Sequence, residues 1–138
     1  MPPLISVVTI CYNAKNDLEK TILSVLSQTY QDIEYIIIDG GSTDGTVDII
    51  HKYSERLFYW ISEPDKGIYD AMNKGMDRAT GSWINFMNAG DTFCDNEVIK
   101  NIFGYNDLSD YSVIYGDCYV SKLNQLQYLK ASSMKKVH

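Results

Sequence analysis

The sequence predicts an α/β fold in which a mostly parallel sheet lies between helices, giving three α/β/α layers. Four short apolar runs of strand length alternate with segments whose apolar residues recur at helical spacing. The runs are apolar almost throughout, which is typical of strands that are covered on both faces. A chain of 138 residues, 45% of them hydrophobic, is large enough to bury one core. We therefore predict a single domain over residues 1–138.

The first half of the chain supplies two strands and two helices. Asn16 and Glu19 have the spacing of a capping box, which predicts a helix start at that point. The glycine-rich segment 40–45 is a dense turn signal between the second strand and the second helix. The predicted elements are, in order, strand 4–11, helix 16–28, strand 33–39 and helix 46–53.

The second half continues the alternation. Gly81 is well placed to end a helix whose apolar stripe begins at Ile68. The polar tail from Lys130 to His138 lacks periodicity, and we predict no element there. The predicted elements are, in order, strand 58–62, helix 68–79, strand 82–87, a short helix from Asp95 and two further strands over 112–115 and 119–120.

Charge and cysteine content exclude several classes of protein. Twelve basic against 18 acidic residues give a net charge of −6, which argues against a nucleic-acid partner. Three cysteines without a Cys-x-x-Cys spacing argue against a disulfide framework or a zinc site. Met1-Pro2-Pro3 leads into a strand-like run without a basic segment, so we expect no signal peptide, and the apolar runs fall short of the roughly 20 residues of a spanning helix. We expect a cytoplasmic protein, peripheral to the inner face of the membrane only through segments not present here.

Three polar clusters each follow a predicted strand, namely 9–13, 39–44 and 88–91. The carboxyl ends of parallel strands meet at one edge of a sheet, where ligands of open α/β sheets bind. Asp39 could accept a hydrogen bond from a nucleobase or a ribose; the alternative is a turn-forming role. Asp44 has the position of a helix cap, which we favour for it.

Two further residues are candidates for contact with a diphosphate. Asp91 follows the fourth strand in an open polar loop, and a single carboxylate with substrate phosphates suits Mg²⁺ or Mn²⁺. The alternative is an ordinary turn over Asn88–Asp91. Lys66, in the loop after the third strand, could contact a diphosphate; the alternative is a solvated loop charge. A metal would reconcile an acidic protein with an anionic ligand.

Five blocks in order resemble glycosyltransferase family 2, over about residues 4–120. They are Ser6-Val-Val-Thr-Ile-Cys-Tyr-Asn13, Ser24-Val-Leu-Ser-Gln-Thr-Tyr30, Ile36-Ile-Ile-Asp-Gly-Gly-Ser-Thr-Asp-Gly-Thr46, Gly67-Ile-Tyr-Asp-Ala-Met-Asn-Lys-Gly75 and Ala79-Thr-Gly-Ser-Trp-Ile-Asn-Phe-Met-Asn-Ala-Gly-Asp91. The resemblance implies the nucleotide-diphospho-sugar transferase (A-type glycosyltransferase) fold. It also implies transfer, with inversion, from a nucleoside diphosphate sugar, a UDP-sugar in the first place, to a saccharide or lipid-linked acceptor in bacterial surface polysaccharide synthesis.

The resemblance also assigns site residues. Thr9 and Tyr12 would line the nucleobase pocket, Asp39 would hydrogen-bond the base, and Asp91 matches the last carboxylate of the metal motif. Where many members carry Asp, this sequence has Asn88 and Gly90, which leaves one carboxylate for the metal. The donor-binding set that the resemblance implies is completed by Asn13, Asn73 and Asn88.

The resemblance leaves the catalytic base unassigned, because no segment of this sequence aligns with the part of the family that carries it. We therefore expect a truncated, donor-binding half without its acceptor side. A non-catalytic nucleotide-sugar-binding module or an inactive fragment is the first alternative. A phosphoacceptor receiver domain is the second, but Cys11, Tyr12 and Asn13 stand where receivers need an acidic pair.

Overall fold

A computed structural model describes residues 3–104, 118–122 and 125–129. Four parallel strands form one sheet in the order β3-β2-β1-β4, made of β1 (Ile5–Cys11), β2 (Ile33–Asp39), β3 (Tyr59–Ser62) and β4 (Trp83–Asn88). The helices are α1 (Leu18–Leu26), α2 (Thr46–Tyr53), α3 (Ile68–Arg78) and α4 (Val98–Phe103), with a 3₁₀ turn over Ser54–Arg56. Strands β5 (Cys118–Lys122) and β6 (Gln125–Leu129) form a separate antiparallel pair.

The predicted three layers are confirmed. Helices α1, α2 and α4 cover one face of the sheet, where their apolar side chains pack on Ile5, Val7 and Ile37. Helix α3 covers the other face through Ala71, against Val8, Ile36 and Ile38. Both faces of β1 and β2 are therefore buried, which explains why these runs are almost entirely apolar.

Helix α3 approaches the sheet closely at Gly75. A Cβ atom at this position would lie 2.5 Å from Cγ1 of Val8, a separation that real Cβ atoms do not tolerate. The glycine therefore sets the distance between α3 and β1, and with it the position of the loop that precedes α3.

The sequence prediction was wrong at the start of α1 and incomplete after β4. Helix α1 begins at Leu18 with Asp17 as its N-cap and no side-chain capping bond, so Asn16 and Glu19 form no capping box. The Glu19 carboxylate instead accepts hydrogen bonds from Lys52 and Tyr53 of the α2 helix. The strand around 119–120 is present as β5, whereas β6 was not predicted. The strand predicted over 112–115 lies outside the described residues.

The buried carboxylate of Glu34 connects neighbouring strands by hydrogen bonds at the amino-terminal edge of the sheet. Glu34 of β2, 6% exposed, accepts hydrogen bonds from the Ser6 hydroxyl at 2.6 Å and the Thr80 hydroxyl at 2.6 Å. The backbone N–H of Gly81 donates in turn to the Ser6 hydroxyl at 2.9 Å. Burial raises the pKa of Glu34, but the hydrogen bonds from Ser6 and Thr80 outweigh it and leave the pKa below its usual value. The charged carboxylate therefore links β1, β2 and the residues that enter β4.

Replacing this carboxylate is expected to destabilise the protein. Glu34→Gln retains the shape but leaves buried donors without acceptors, which costs about 1–3 kcal/mol in the free energy of unfolding, measured by urea denaturation. Because the folded-state pKa is lowered, this contribution is present at neutral pH and is lost as the pH falls through the folded-state pKa. Glu55→Gln, at an exposed position, is the control. Equal stability of the two variants would contradict this role.

In the described part of the chain, no helix has both the length and the apolar character that crossing a bilayer requires.

Candidate active site

A groove of about 510 Å³ opens at the carboxyl ends of β1 and β4. The chain moves outward from β1 to β2 and β3 and then returns to β4, on the other side of β1. The point between β1 and β4 is thus the topological switch point, where open α/β sheets bind ligands. The described lining comes from the end of β1, the start of α3 and the end of β4. It consists of Ile10, Cys11, Tyr12, Asn13, Ala14, Asp17, Asp65, Gly67, Ile68, Asn88 and Ala89.

Asn13 joins the loop after β1 to the glycine-rich segment after β2. Its backbone N–H donates to the Ser42 hydroxyl at 2.7 Å, and its side-chain oxygen accepts the Thr43 N–H at 2.9 Å. Its φ of 46° is in the left-handed region, which asparagine tolerates better than most residues. Asn13 lines the groove, but its side-chain oxygen is already engaged. The structure therefore gives it a role in shaping the site, beside the donor contact that the sequence predicts.

Two more polar side chains of the same segment hold the next residues of the β1 loop. The Thr46 hydroxyl accepts the Ala14 N–H at 2.9 Å, and the Asp44 carboxylate accepts the Lys15 N–H at 3.2 Å. Asp44 also accepts the Thr46 N–H at 3.1 Å at the start of α2, whose N-cap is Gly45. The prediction of Asp44 as the helix cap was therefore wrong by one residue, because Gly45 takes the cap position, and Asp44 instead belongs to the scaffold that holds the β1 loop.

Tyr12 is left exposed by this scaffold at the side of the groove. The residue is 63% exposed. A Cβ atom at Gly40 would lie 3.2 Å from Cδ1 of Tyr12 and 3.0 Å from Oδ2 of Asp65. The absence of a side chain at Gly40 therefore lets Tyr12 and Asp65 come together. An exposed aromatic ring beside a carboxylate is suited to a nucleobase, which offers a face for stacking and N–H groups as donors.

Asp39 lies at the carboxyl end of β2 and is completely buried. It stands in register between Cys11 of β1 and Ser62 of β3. Its carboxylate accepts hydrogen bonds from Ser62 at 2.7 Å, the Ser42 N–H at 2.8 Å, the Gly41 N–H at 3.1 Å and the Cys11 thiol at 3.3 Å. The predicted contact between Asp39 and a base would require one of these donors to leave.

The ionisation of this cluster is asymmetric. Burial raises the pKa of Asp39, yet the hydrogen bonds from Ser42, Ser62 and Cys11 outweigh it and keep the pKa below its usual value. Burial, with the charge of Asp39 and its hydrogen bond, raises the pKa of the Cys11 thiol far above its usual range. Asp39 is therefore ionised and Cys11 is a neutral, unreactive donor at physiological pH.

Thr9 is not where the resemblance implies. It is completely buried, and its hydroxyl oxygen lies 2.7 Å from the Tyr35 hydroxyl oxygen. Successive residues of a strand point to opposite faces, and Thr9 shares its face with Val7 and Cys11, beneath the layer of α1 and α2. It lies two residues before the end of β1 and is not among the described residues that line the groove. The structure therefore places it below the site.

Asn88 and Asp91 are the first and last residues of a turn at the end of β4. The Asp91 N–H donates to the Asn88 carbonyl at 2.9 Å, and Gly90 supplies the positive φ of 105°. One Asp91 carboxylate oxygen accepts the Asn88 N–H at 3.2 Å. Both side chains are exposed, and Asn88 lines the groove. The segment therefore has the geometry of the turn that was the alternative prediction for it. This turn places the exposed carboxylate of Asp91 next to the groove.

Lys66 and Asn73 are exposed, and neither is among the described residues that line the groove. The Lys66 backbone N–H donates to the Asp70 carboxylate at 2.9 Å at the start of α3. The structure thus places Lys66 at the rim of the site, next to the lining residues Asp65 and Gly67. Asn73 lies about one and a half turns after Ile68, the first residue of α3.

Several residues that shape the site were missed by sequence reasoning. Cys11 and Ser62 sit at strand ends and could have been found only from the strand register. Thr21 and Gln28 hold the segment after β4, and their signal was present in the sequence. Thr21 is on the buried side of α1 and Gln28 is buried just after the end of that helix, and a polar side chain at such a position needs a buried partner.

The groove is acidic, which bears on the predicted metal. Asp17 and Asp65 are among the described lining residues, and Lys and Arg are not. Among the residues that the structure describes, no group of three or more His, Cys, Asp or Glu side chains could hold a metal ion. The exposed Asp91 carboxylate fits an ion that binds through one protein carboxylate and is completed by a diphosphate. It does not fit an ion held by the protein alone.

Comparison with known proteins identifies the family. The family model described as glycosyl transferase family 2 matches residues 6–137. A relative from Mycobacterium bovis, named PGL/p-HBAD biosynthesis glycosyltransferase, is 34% identical over 129 residues, 88% of this chain and 49% of the relative. The chain spans 37% to 49% of the length of the first curated relatives that it matches.

Solved structures support the same fold. Staphylococcus aureus TarS 1–349 in complex with UDP superposes with a TM-score of 0.68 at 22% identity, over 78% of this chain and 32% of that chain. The mannosyltransferase PcManGT from Pyrobaculum calidifontis, in complex with GDP-Man and Mn²⁺, gives a TM-score of 0.65 at 23% identity, over 70% of this chain and 30% of that chain. At these identities the likeness concerns the fold. The chain belongs to glycosyl transferase family 2, and its parallel sheet between helical layers has the A-type glycosyltransferase fold.

Proposed function

We propose that the groove binds a nucleoside diphosphate sugar, in the first place a UDP-sugar. The observation that carries this proposal is the exposed Tyr12 ring, beside Asp65, at the switch point of a family 2 sheet. UDP-GlcNAc bound to TarS, and GDP-Man bound to PcManGT, are ligands of this class on the same fold. The groove volume of about 510 Å³ is within the range of small-molecule sites.

The predicted site residues have distinct roles in this proposal. Tyr12 stacks on the base, and Asp65 accepts a hydrogen bond from a base N–H. Asn88 contacts the ribose, while Lys66 and Asn73 approach the diphosphate from the α3 side. Asn13 contacts the donor in addition to holding the β1 loop. Thr9 and Asp39 act through the scaffold, because they are buried and their oxygen atoms are engaged with protein partners.

We further propose that Asp91 holds Mg²⁺ or Mn²⁺ together with the diphosphate. Such an ion would offset the charge that grows on the leaving diphosphate. The acidic lining supports this, because Asp17 and Asp65 would otherwise repel the donor. PcManGT, with Mn²⁺ in its complex, is a precedent on the same fold.

The proposed reaction of the whole protein is attack by an acceptor hydroxyl on the anomeric carbon, from the face opposite the diphosphate, with inversion. The new glycosidic bond forms as the bond to the diphosphate breaks, and the acceptor proton passes to a base. The proposed acceptor is a saccharide or a lipid-linked acceptor in bacterial surface polysaccharide synthesis, at the cytoplasmic side of the membrane. Its support is the relative named for PGL/p-HBAD biosynthesis.

Titration of the chain with UDP and with GDP, each with and without Mn²⁺, tests donor binding. Tyr12→Ala is expected to weaken UDP binding by roughly tenfold or more, because stacking on an aromatic ring contributes about 1–3 kcal/mol per base. Tyr12→Phe keeps the ring and is expected to bind as the wild type does. Absence of binding to either nucleotide under both conditions would contradict the proposed donor site.

A transfer assay separates an enzyme from a non-catalytic binding module, the alternative that the coverage of the relatives keeps open. The whole protein is incubated with UDP-sugars, Mn²⁺ and saccharide acceptors, and the anomeric configuration of any product is read by NMR. Inverted product is the expected result for the enzyme. Donor binding without product would favour the module, and retained configuration would contradict inversion.

A further inference from the structure

Helix α1 holds the segment that follows β4 through one row of polar side chains. Thr21, Ser24 and Gln28 are three and four residues apart, so they lie on one face of the helix and its C-terminal end. Each of them hydrogen-bonds to backbone groups in the stretch 90–99. Bonds to the backbone fix the path of a segment whatever side chains it carries.

Thr21 makes the contacts nearest to the candidate metal site. Its hydroxyl donates to the Asp91 carbonyl at 2.7 Å and accepts the Gly90 N–H at 2.8 Å. The Thr21 side chain is completely buried, so water does not compete for these bonds. The Thr21 hydroxyl thus hydrogen-bonds to the backbone of both Gly90 and Asp91.

The other two side chains hold the segment further along. Ser24 accepts the Phe93 N–H at 2.8 Å. Gln28 donates to the Asp95 carbonyl at 2.6 Å and accepts the Ile99 N–H at 3.2 Å. These contacts act two or more residues beyond Asp91. They secure the chain toward α4, whereas Thr21 secures the turn itself.

The turn has a particular need for such an anchor. Gly90, at φ 105°, lacks a side chain that would restrict its backbone, and the Asp91 side chain is exposed. A site with one protein carboxylate depends on the placement of that carboxylate, since the described residues offer no group of three ligands to share the ion. Groups that orient metal ligands typically change metal affinity by about 10–100-fold when they are replaced.

We propose that Thr21 is a positioning residue of the donor site, whose buried hydroxyl fixes the Gly90–Asp91 backbone so that the Asp91 carboxylate meets the metal–diphosphate unit. This inference rests on the proposed function. It assigns to α1, which supplies no ligand itself, control over metal-dependent donor binding.

Thr21→Val removes the hydroxyl at nearly constant volume, and Thr21→Ser keeps it. The test is a Mn²⁺ titration of the full chain in the presence of UDP, with free Mn²⁺ followed by electron paramagnetic resonance. A parallel UDP titration without metal is run on every variant. Thr21→Val is expected to weaken Mn²⁺ affinity by roughly tenfold with metal-free UDP binding unchanged. Thr21→Ser is expected to restore the wild-type affinity, and Ser24→Ala to have a smaller effect than Thr21→Val.

The outcomes separate this proposal from the one on which it depends. If Asp91→Ala itself leaves Mn²⁺ affinity unchanged, the metal site of the proposed function is wrong. If Asp91→Ala weakens it and Thr21→Val does not, only the role of Thr21 is wrong. If Thr21→Val weakens UDP binding equally with and without Mn²⁺, Thr21 has a general structural role. That result would also overturn the proposal for Thr21. Thr21→Ala serves if the valine is not accommodated, and failure of both to fold would overturn it too.

Discussion

Asp91→Asn is expected to remove most of the metal-dependent part of UDP binding, with a loss of Mn²⁺ affinity of roughly 100-fold or more. Loss of a ligand should have at least the effect of losing a group that orients one, which is about 10–100-fold. The asparagine side-chain oxygen can still accept the Asn88 N–H, as the aspartate does at 3.2 Å. The substitution therefore removes the charge and keeps the turn. Calorimetric titration with UDP, with and without Mn²⁺, measures the effect.

Asp77→Asn is the matched control for this experiment. Asp77 is exposed near the far end of α3, so its replacement changes the net charge equally but away from the groove. It is expected to leave both titrations unchanged, apart from small long-range effects that salt screens. Equal behaviour of the two variants would show that Asp91 has no specific part in metal binding.

Asp39→Asn is expected to produce the largest loss of stability of any single exchange around the site, about 3 kcal/mol or more in the free energy of unfolding. The buried carboxylate accepts from two backbone N–H groups, two serines and a thiol. The amide group of asparagine would point hydrogen atoms at some of these donors. Urea denaturation of the two proteins measures the difference.

The pH dependence of stability gives a second measurement on the same variant. Because the folded-state pKa of Asp39 is lowered, its contribution is present at neutral pH and is lost as the pH falls through the folded-state pKa. The wild type should lose that stability on acidification, and Asp39→Asn should lack that part of the loss. Asp32→Asn, at an exposed position, should follow the wild type. A variant at position 39 with wild-type stability would refute the anchoring role.

Much of the fold could be predicted from the sequence. The bounds of β2 and α2 agree with the apolar run 33–39 and the helical spacing over 46–53. Such patterns are local, and a strand buried on both faces carries its environment in its own composition. The start of α1 could not be predicted in the same way, because the partners of Glu19 are Lys52 and Tyr53, more than 30 residues away.

The candidate site, too, could be predicted from the sequence only in part. That polar clusters after β1, β2 and β4 belong to one edge follows from the order of strands and helices. Which polar atoms remain available to a ligand does not follow. Asp39 and Asn13 were expected to face a donor, but cross-strand register and loop contacts give their oxygen atoms protein partners. The metal assignment of Asp91 stays a prediction, to be tested as above.

By itself, the sequence determined the α/β class, the three layers, most element bounds and the family, because these depend on local composition and on motifs in order. Only the tertiary structure showed that Thr9 lies beneath the site and that Tyr12 is exposed beside Asp65. It also showed that Thr21 of α1 hydrogen-bonds to the backbone of the turn that carries Asp91. The physical reason is that hydrogen bonds between distant segments determine which polar groups are paired within the protein and which remain available to a ligand.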